Sequence, residues 1–364
     1  MEKTRLNHIF WFAYYGNASP SVRYRASYPL EFARKELDIA SQLVIPGYSL
    51  QKVLRFTRVY LQAMFCCAPN DLIVIQRVRS KFIYSSLLQL LVRVRGKNCV
   101  YDLDDADYLE HDPTTIVWFS RHCRYISAGS PAIADFLQEY NPNVWHITSP
   151  VCNLGLKKQH RSATFTIGWI GGFEWGHRES MFQLVFPAVK SLGRPCVLLL
   201  IGVNKAQDRE RIRAFFEEAP YVELQMVQDI DWNDEEAIQR QIQRFDVGVA
   251  TLSNDLIHLS KSGIKAKQYL NNGVPVVCND LPENNRVVKH GFNGFVCDSA
   301  ADFTNRLRAI QAMPPEEYWS LSANARASVA NFDYPYYFQQ WQLMVADSTK
   351  ANLRSTKRQN EPMT

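Results

Sequence analysis

The residues best suited to chemistry in this sequence lie at positions 260–265, where small polar residues stand among lysines. Ser262 and Gly263 form a predicted turn that opens a helix, and Lys261 and Lys265 flank it. The first N–H groups of a helix have no partner within it, and the helix dipole adds positive charge at that end. Phosphate groups bind at such ends. The stretch therefore predicts a phosphate or diphosphate site, and a solvated basic helix start is the alternative.

The residues that follow must hold this turn in place. The pattern predicts a helix over about 264–272, and Gly273 is typical of a left-handed helix stop. The apolar run 274–278 is typical of a short buried strand. The turn is thus expected at the edge of an α/β sheet, where proteins of this class bind ligands.

A second candidate site is the acidic cluster at 102–107, which follows a predicted strand at 98–102. Asp104 and Asp105 could bind a divalent metal, orient sugar hydroxyls or act as a base. Helix capping and solvation are the competing explanation.

The loop after the first predicted strand, residues 16–25, carries Ser19, Arg23 and Arg25. The two arginines could grip an anionic group at the end of the strand, or cover the edge of the sheet. The loop lacks the Gly-x-Gly-x-x-Gly fingerprint of dinucleotide-binding proteins, which disfavours a dehydrogenase.

Strand and helix patterns alternate along the 364 residues and restart near the middle. The sequence predicts two successive doubly wound, Rossmann-like domains, with a cleft between the carboxyl ends of their strands. The first domain is expected over 1–150 and the second over 164–333, joined by a linker at 148–163. A helix at 334–350 is expected to return to the first domain, and the polar tail 351–364 is expected to be disordered.

Composition narrows the class of protein. The chain is 46% hydrophobic and 21% charged, and it has no apolar run near the length of a membrane span. The eight cysteines have neither zinc-site nor Cys-x-x-Cys spacing, so buried thiols in a reducing cytoplasm are expected. The N-terminal residues do not have the pattern of a secretory signal.

The charge is unevenly distributed. Residues 51–100 contain nine basic residues and one acidic residue, Asp71, with aromatic residues between them. This block, residues 51–97, suits an anionic membrane surface or another polyanion, and solvated helix faces are the alternative. No motif supports binding to nucleic acid.

Residues 261–277 resemble the donor-site box of retaining GT-B glycosyltransferases of family 4 (group 1), Lys-x-x-x-(Glu/Gln)-Tyr-(Met/Leu)-x-x-Gly-x-Pro-Val-Val. Residues 283–294 resemble the loop that follows this box, and 167–171 the strand that opens the nucleotide-binding domain. In the first half, 19–25 resembles a Ser-x-x-x-Arg acceptor-side loop. Residues 101–106 match the Tyr-Asp-x-Asp-Asp-Ala box of one subgroup.

The sequence departs from this family at three positions. Family members often carry two glutamates separated by seven residues, and Ser260 and Gln268 stand at those positions. Gly172 takes the place of a common arginine, and Arg178 is the nearest substitute cation. The identity of the donor sugar is therefore not implied.

The resemblance implies that a sugar moves, with retention, from a UDP- or GDP-sugar to a glycan or lipid-linked acceptor, without a metal or another cofactor. Synthesis of a surface polysaccharide or glycolipid is the implied setting, in the cytoplasm or on the inner face of the membrane. The implied roles are diphosphate neutralisation by Lys261, Lys265 and Arg178; nucleotide and sugar contacts by Gly171, Gly172, Ser262, Gly263, Gln268, Glu283 and Asn284; sugar or acceptor-hydroxyl contacts by Asp104 and Asp105; and acceptor binding by Ser19, Arg23 and Arg25.

Two other functions remain open at this point. A sugar-nucleotide epimerase could share the two-domain fold and would need no acceptor. A non-catalytic protein that binds sugar nucleotides is compatible with Ser260 and Gln268.

Overall fold

A computed structural model describes residues 6–359, with side chains described over 6–346. The chain divides into two compact units, one made of the residues before Val151 together with the last helix, and the other of Val151–Asp333. Residues 151–163, expected within a linker, belong to the second unit, where the Lys158 Nζ lies 3.1 Å from the Asp246 Oδ1.

The first unit is built on six parallel strands in the order β2-β1-β3-β4-β5-β6. Because β2 and β3 lie on opposite sides of β1, the chain reverses direction across the sheet there, and the carboxyl ends of β1 and β3 flank a topological switch point. The strands are β1 (His8–Ala13), β2 (Ala40–Val44), β3 (Leu72–Gln76), β4 (Cys99–Leu103), β5 (Tyr125–Ala128) and β6 (Val144–His146).

Helices connect these strands. A short α-helical turn, Pro20–Val22, and a π-helical turn, Arg23–Ser27, lead into the first long helix. The second turn directs Arg25 toward β4 and β5. The remaining helices of this unit are Tyr28–Glu36, Leu50–Cys66, Phe82–Arg95, the 3-10 turn Gly96–Asn98, Asp107–Glu110, Thr114–His122 and Pro131–Gln138.

The second unit repeats the plan with six parallel strands in the order β12-β11-β10-β7-β8-β9. Here the switch point lies between β7 and β10. The strands are β7 (Thr166–Ile170), β8 (Cys196–Ile201), β9 (Val222–Val227), β10 (Val247–Ala250), β11 (Val276–Asn279) and β12 (Gly294–Cys297).

The helices of the second unit cover both faces of its sheet. β8 is buried along its whole length, as expected of a parallel strand packed on both faces. The helices are Trp175–Ser180, the π segment Met181–Val185, Phe186–Lys190, Ala206–Phe216, Glu235–Ile242, Leu256–Leu259, Ile264–Asn271, Pro282–Val287, Ala300–Ala312, Pro315–Ala327 and the 3-10 turn Ser328–Asn331.

The last helix, Tyr334–Gln359, packs on the first unit, as the sequence predicts. The ring of Trp341 lies 5.6 Å from that of Trp11, and the Tyr337 hydroxyl donates to the carbonyl of Arg25 over 2.9 Å. The helix continues to Gln359, so residues 351–359 are helical rather than disordered, and 360–364 lie outside the described residues.

The eight cysteines are free thiols, as expected. Six are buried, whereas Cys66 is exposed and Cys152 half-buried, so the expectation of burial is wrong for those two. Among the described residues no helix is long and apolar enough to cross a membrane.

Candidate donor-site cluster in the second unit

The centre of the candidate site is the contact between Gly171 and Lys265. Gly171 directly follows β7 and has a φ of 149°, which favours glycine. A Cβ at this position would lie 2.6 Å from the Lys265 Cε and 2.9 Å from its Nζ. Lys265 therefore reaches the backbone at the switch point only because residue 171 has no side chain.

The helix Ile264–Asn271 carries Lys265 and is tied to the sheet at the same place. The Tyr269 hydroxyl accepts a hydrogen bond from the Ile170 N–H over 3.1 Å. Gly263, with a φ of 62°, caps the start of this helix, and Gly273, with a φ of 69°, follows its end. The turn that opens this helix and the left-handed stop at Gly273 are confirmed, and the binding of phosphate at the turn stays a prediction.

His177 holds the ammonium group of Lys265. The Lys265 Nζ lies 2.8 Å from the His177 Nε2, and the His177 Nδ1 lies 2.9 Å from the carbonyl oxygen of Thr251. Since a carbonyl only accepts, the proton of the neutral imidazole sits on Nδ1, and Nε2 accepts from the lysine. Lys265 is thereby fixed between β7 and the residue that follows β10.

This environment shifts the pKa of both groups. Desolvation, with the charge of Lys261 second, lowers the pKa of Lys265 to about 7. Burial and then the charge of Lys265 lower the pKa of His177 well below its usual value. An arriving anion would favour the protonated form of Lys265, because negative charge stabilises an ammonium group.

The other residues of the predicted turn surround this contact. Lys261, Ser262 and Gly263 are half-buried at the helix start, and Lys261 is close enough to lower the pKa of both neighbouring bases. Gln268 lies one turn further along the helix and is buried. The structure thus groups these predicted residues around one helix end.

Glu283 and Asn284 lie beneath the turn, and both are buried. The carboxylate of Glu283 lies 3.9 Å from the Nζ of Lys267, which is itself buried. The Asn284 amide donates to the carbonyls of Ala250 and Asn279, which belong to β10 and β11. The observed role of Asn284 is to join these two strand ends.

Gly172 and Arg178 lie in the segment that follows β7, Gly172 in the loop and Arg178 in the helix Trp175–Ser180. The Arg178 Nη1 lies 3.2 Å from a carboxylate oxygen of Asp208, so part of its guanidinium is already engaged. At Gly172 an added Cβ would meet only Glu174, at 3.8 Å, so this glycine leaves open space.

In the first unit, the acidic cluster is organised around Arg77, which directly follows β3. Its Nε donates to Asp107 over 2.8 Å, its Nη1 lies 3.4 Å from Asp105, and its Nε lies 3.9 Å from Asp104. Among these carboxylates Asp105 has the most exposed side chain, at 24%, against 8% for Asp104 and 4% for Asp107. Asp105 is thus the carboxylate best placed to meet a ligand.

Asp104 is enclosed. Its carboxylate accepts a hydrogen bond from the Ser21 hydroxyl, and burial raises its pKa against the opposing charges of Arg77 and Arg25. Ser19, which precedes Ser21 by two residues, is half-buried at the start of the same turn.

The prediction that Arg25 grips an acceptor is wrong for direct contact. Its side chain is 0% exposed, its Nε donates to Asp102 over 3.0 Å, and its Nη1 donates to the carbonyl of Ile147 over 2.8 Å. A third contact reaches the Ser127 hydroxyl. The arginine neutralises a buried aspartate of β4 and joins it to Ser127 of β5 and to Ile147, which follows β6.

Arg23 is also buried, and it braces the loop before it. Its Nη1 donates to the carbonyls of Asn17 and Ala18, at 3.3 and 2.9 Å. The side chain therefore shapes the loop 16–19 from beneath.

The pattern of residues did not single out His177, although it lies between two residues that the family resemblance implies, Gly172 and Arg178. A neutral histidine carries no charge signal, and its contact with Lys265 depends on position in the fold. Among the described residues, no group of three or more His, Cys, Asp or Glu side chains could hold a metal ion.

Comparisons with known proteins bear on this arrangement. Residues 164–312 match the family model described as glycosyl transferases group 1, a segment that contains Gly171, His177 and Lys265. No curated protein sequence matches the chain.

Solved structures share the whole fold at low identity. The lipopolysaccharide outer core galactosyltransferase WaaB is 14% identical, with a TM-score of 0.61 over 94% of this chain and 99% of that one. HepE from Anabaena, in complex with UDP-glucose, is 14% identical, with a TM-score of 0.62 over 94% and 99%. Sucrose-phosphate synthase from Thermosynechococcus elongatus is 14% identical, with a TM-score of 0.62 over 97% and 100%.

The chain has the α/β GT-B fold that the sequence predicts, because these likenesses extend over nearly all of both chains. The match of residues 164–312 to the family model supports a glycosyltransferase.

Proposed function

We propose that this protein transfers a sugar, with retention, from a nucleoside diphosphate sugar to a glycan or lipid-linked acceptor in the synthesis of a surface polysaccharide or glycolipid. The observation that carries the donor half of this proposal is Lys265, held at the Gly171 backbone at the switch point of the second sheet. A UDP-sugar is the favoured donor, since HepE has been solved with UDP-glucose.

The chemistry requires two things of the site: the departing diphosphate must be neutralised and an oxocarbenium-like centre must be stabilised. Lys265, Lys261 and the N–H groups at the start of the helix Ile264–Asn271 supply positive charge for the diphosphate. Gln268 is proposed to contact the nucleotide. In a same-face transfer the acceptor hydroxyl attacks from the side on which the diphosphate leaves, so the enzyme needs no nucleophile of its own.

The first unit is proposed to bind the acceptor through the loop that carries Ser19, with Asp105 as the carboxylate that meets a hydroxyl. Its contact with Arg77 orients this carboxylate while leaving about a quarter of its side chain exposed. Asp104 and Arg23 support the same region from beneath.

The first test is binding of UDP, GDP and ADP, measured by calorimetry, followed by turnover with UDP-sugars and lipid-linked or glycan acceptors. Lys265→Ala should lose at least about tenfold in affinity for the preferred diphosphate and about 10²–10³-fold in turnover. Lys35→Ala, which removes an exposed lysine paired with Glu31, is the matched control.

Each result has a clear meaning. Unchanged turnover in Lys265→Ala would refute the donor-site assignment. Net release of diphosphate without any acceptor would favour a hydrolase, and a changed donor sugar without net release would favour an epimerase. Binding of sugar nucleotides without turnover would favour a non-catalytic protein.

We further propose that the acceptor is met at an anionic membrane surface through the two-helix face formed by Leu50–Cys66 and Phe82–Arg95. The helices lie side by side and run parallel, since the Phe56 and Tyr84 rings are 5.5 Å apart and the Arg95 Nε donates to the carbonyl of Met64 over 2.6 Å.

The outward side of this two-helix face is apolar and basic. Ten of the sixteen exposed large hydrophobic side chains among residues 6–346 lie between positions 48 and 94, among them Phe65 and Ile83, each 74% exposed. Lys52, Arg55 and Arg58 are exposed on the first of the two helices. Apolar side chains flanked by basic ones suit an anionic lipid surface.

Cosedimentation with vesicles tests this surface. Wild type should bind vesicles that contain phosphatidylglycerol, bind less at high salt, and bind little to pure phosphatidylcholine. The double variant Phe65→Ser/Ile83→Ser should lose binding, whereas Leu343→Ser, an exposed leucine on the last helix, should not. Equal binding of the double variant and wild type would refute the membrane proposal.

A further inference from the structure

The chemistry proposed above gives no role to His177, although its side chain is fixed on several sides. The residue lies in the helix Trp175–Ser180, and its ring contacts three residues outside that helix. The ring packs edge-on against Trp169 of β7, with centroids 5.6 Å apart, and its two nitrogens contact Thr251 and Lys265.

Thr251, the partner of Nδ1, is itself fixed. Its hydroxyl lies 3.1 Å from the Ser180 hydroxyl, and Ser180 also donates to the carbonyl of His177 over 3.1 Å. Thr251 is 1% exposed. The imidazole is therefore immobilised by a buried hydrogen-bond network before it reaches the lysine.

A lysine needs such a partner to act at a defined point. Its four-carbon stem is flexible, so an ammonium without a partner would be spread over many positions. The His177 Nε2 accepts one of the three ammonium hydrogens and leaves the other two directed away from the ring.

The charges around the His177 ring keep its Nε2 unprotonated, so that this nitrogen accepts a hydrogen bond from Lys265. Lys265, Lys261 and His258 all act to disfavour a second proton on His177, as does its burial. A protonated imidazole at this place would repel the lysine that it holds, whereas the neutral ring supplies a lone pair only.

We propose that His177 is the positioning residue of Lys265: it fixes the ammonium at the Gly171 backbone so that two of its hydrogens face the diphosphate of the donor. This inference rests on the proposed function, in which Lys265 binds that diphosphate.

Two amide substitutions separate the two nitrogens of the ring. In His177→Gln the side-chain amide oxygen can stand where Nε2 stands and accept from Lys265. In His177→Asn the amide N–H can stand where Nδ1–H stands and donate to Thr251, but nothing accepts from the lysine. The pair tests positioning against mere structural support.

The readout is the affinity of the full-length protein for pyrophosphate, UDP and uridine. His177→Asn should bind pyrophosphate and UDP about tenfold more weakly, as expected for one lost hydrogen bond to a charged group. His177→Gln should stay within about threefold of wild type. Uridine, which lacks a phosphate, should bind all three proteins equally.

Several results would overturn the proposal. Equal affinity of His177→Asn and wild type for pyrophosphate and UDP would do so, as would a parallel loss of uridine binding. Equal weakening in both variants would exclude the acceptor role of Nε2. If wild type binds neither pyrophosphate nor any nucleoside diphosphate, the proposed function itself fails, which is a distinguishable outcome.

A measurement on the unsubstituted protein covers the case in which the variants do not fold. ¹⁵N NMR of histidine-labelled protein should show His177 as the Nδ1–H tautomer throughout pH 6–9. An Nε2–H tautomer, or ordinary titration near pH 6.5, would overturn the proposal.

Discussion

Raising the pH from 7 to 9 should weaken the binding of UDP, because the unliganded protein loses the proton of Lys265 in this range. Burial beside the charge of Lys261 lowers the pKa of Lys265 to about 7 from its ordinary 10.5. A bound diphosphate would favour the ammonium and move the pKa back upward. Binding above pH 7 must therefore take up a proton.

The size of the effect follows from this pKa. In the free protein the protonated fraction falls from about one half at pH 7 to about one in a hundred at pH 9, so the affinity for UDP should fall about 50-fold. The slope approaches about 1.4 kcal/mol per pH unit. At pH 8 the complex should take up about 0.9 proton on forming.

The stability of the unliganded protein changes with pH in the opposite direction to its affinity for UDP. Between about pH 7 and 10.5 the unfolded chain keeps its lysine protonated while the folded chain does not, so the unfolded state binds more protons. The contribution of Lys265 to stability is thus least favourable below pH 7 and improves as the pH rises through this window.

Titration calorimetry at pH 8 in buffers of different ionisation enthalpy measures the proton uptake directly. The phosphate groups of UDP, with a second pKa near about 6, are already ionised at this pH. Lys265→Arg is the control, since a guanidinium remains protonated and should take up no proton. No uptake by wild type, or equal uptake by Lys265→Arg, would refute the reasoning.

Two further substitutions test the framework around the site. Gly171→Ala should weaken UDP binding at least about tenfold, because the added Cβ would lie 2.6 Å from the Lys265 Cε and displace that side chain. Gly172→Ala is the control, since a Cβ there has room. Equal UDP affinities of the two variants in calorimetry would contradict this prediction. Arg25→Met should lower the free energy of unfolding by about 3–5 kcal/mol, since it leaves Asp102 buried without its cation. A loss below about 1 kcal/mol in urea unfolding would show that this ion pair is not needed for stability.

Long apolar runs were readable from the sequence alone. The run Cys196–Ile201 is apolar throughout and is observed as a buried strand. Phe82–Arg95 repeats apolar residues at helical spacing and is observed as a helix. Such runs are determined locally, because a strand buried on both faces must be apolar throughout and a half-buried helix must repeat its apolar residues every three to four positions. The predicted fold class followed from their alternation.

Several short helices could not be predicted from the sequence. Asp107–Glu110, Leu256–Leu259 and Pro282–Val287 have four to six residues, too few to show a period. They form where the chain leaves a strand, and their ends are stabilised by local contacts, as where Asp255 accepts from the N–H groups of Ile257 and His258.

Arg25 shows how far the role of a charged residue can be predicted from the sequence. A sequence gives the charge of Arg25 but not the position of Asp102, which is 77 residues away along the chain and directly beside it in the fold. An arginine near a strand end can hold a ligand or a buried carboxylate, and only the tertiary contact distinguishes the two.

The sequence by itself determined the two sheets, the turn at 261–265 and the cationic character of that turn, because hydrophobic period, glycine positions and lysine spacing are local properties. Only the tertiary structure decided which side chains act together. Lys265 and His177 are 88 residues apart and meet because β7 and β10 are neighbours in the sheet while separate in the chain. A hydrogen bond over 2.8 Å depends on that packing, and no local pattern encodes it.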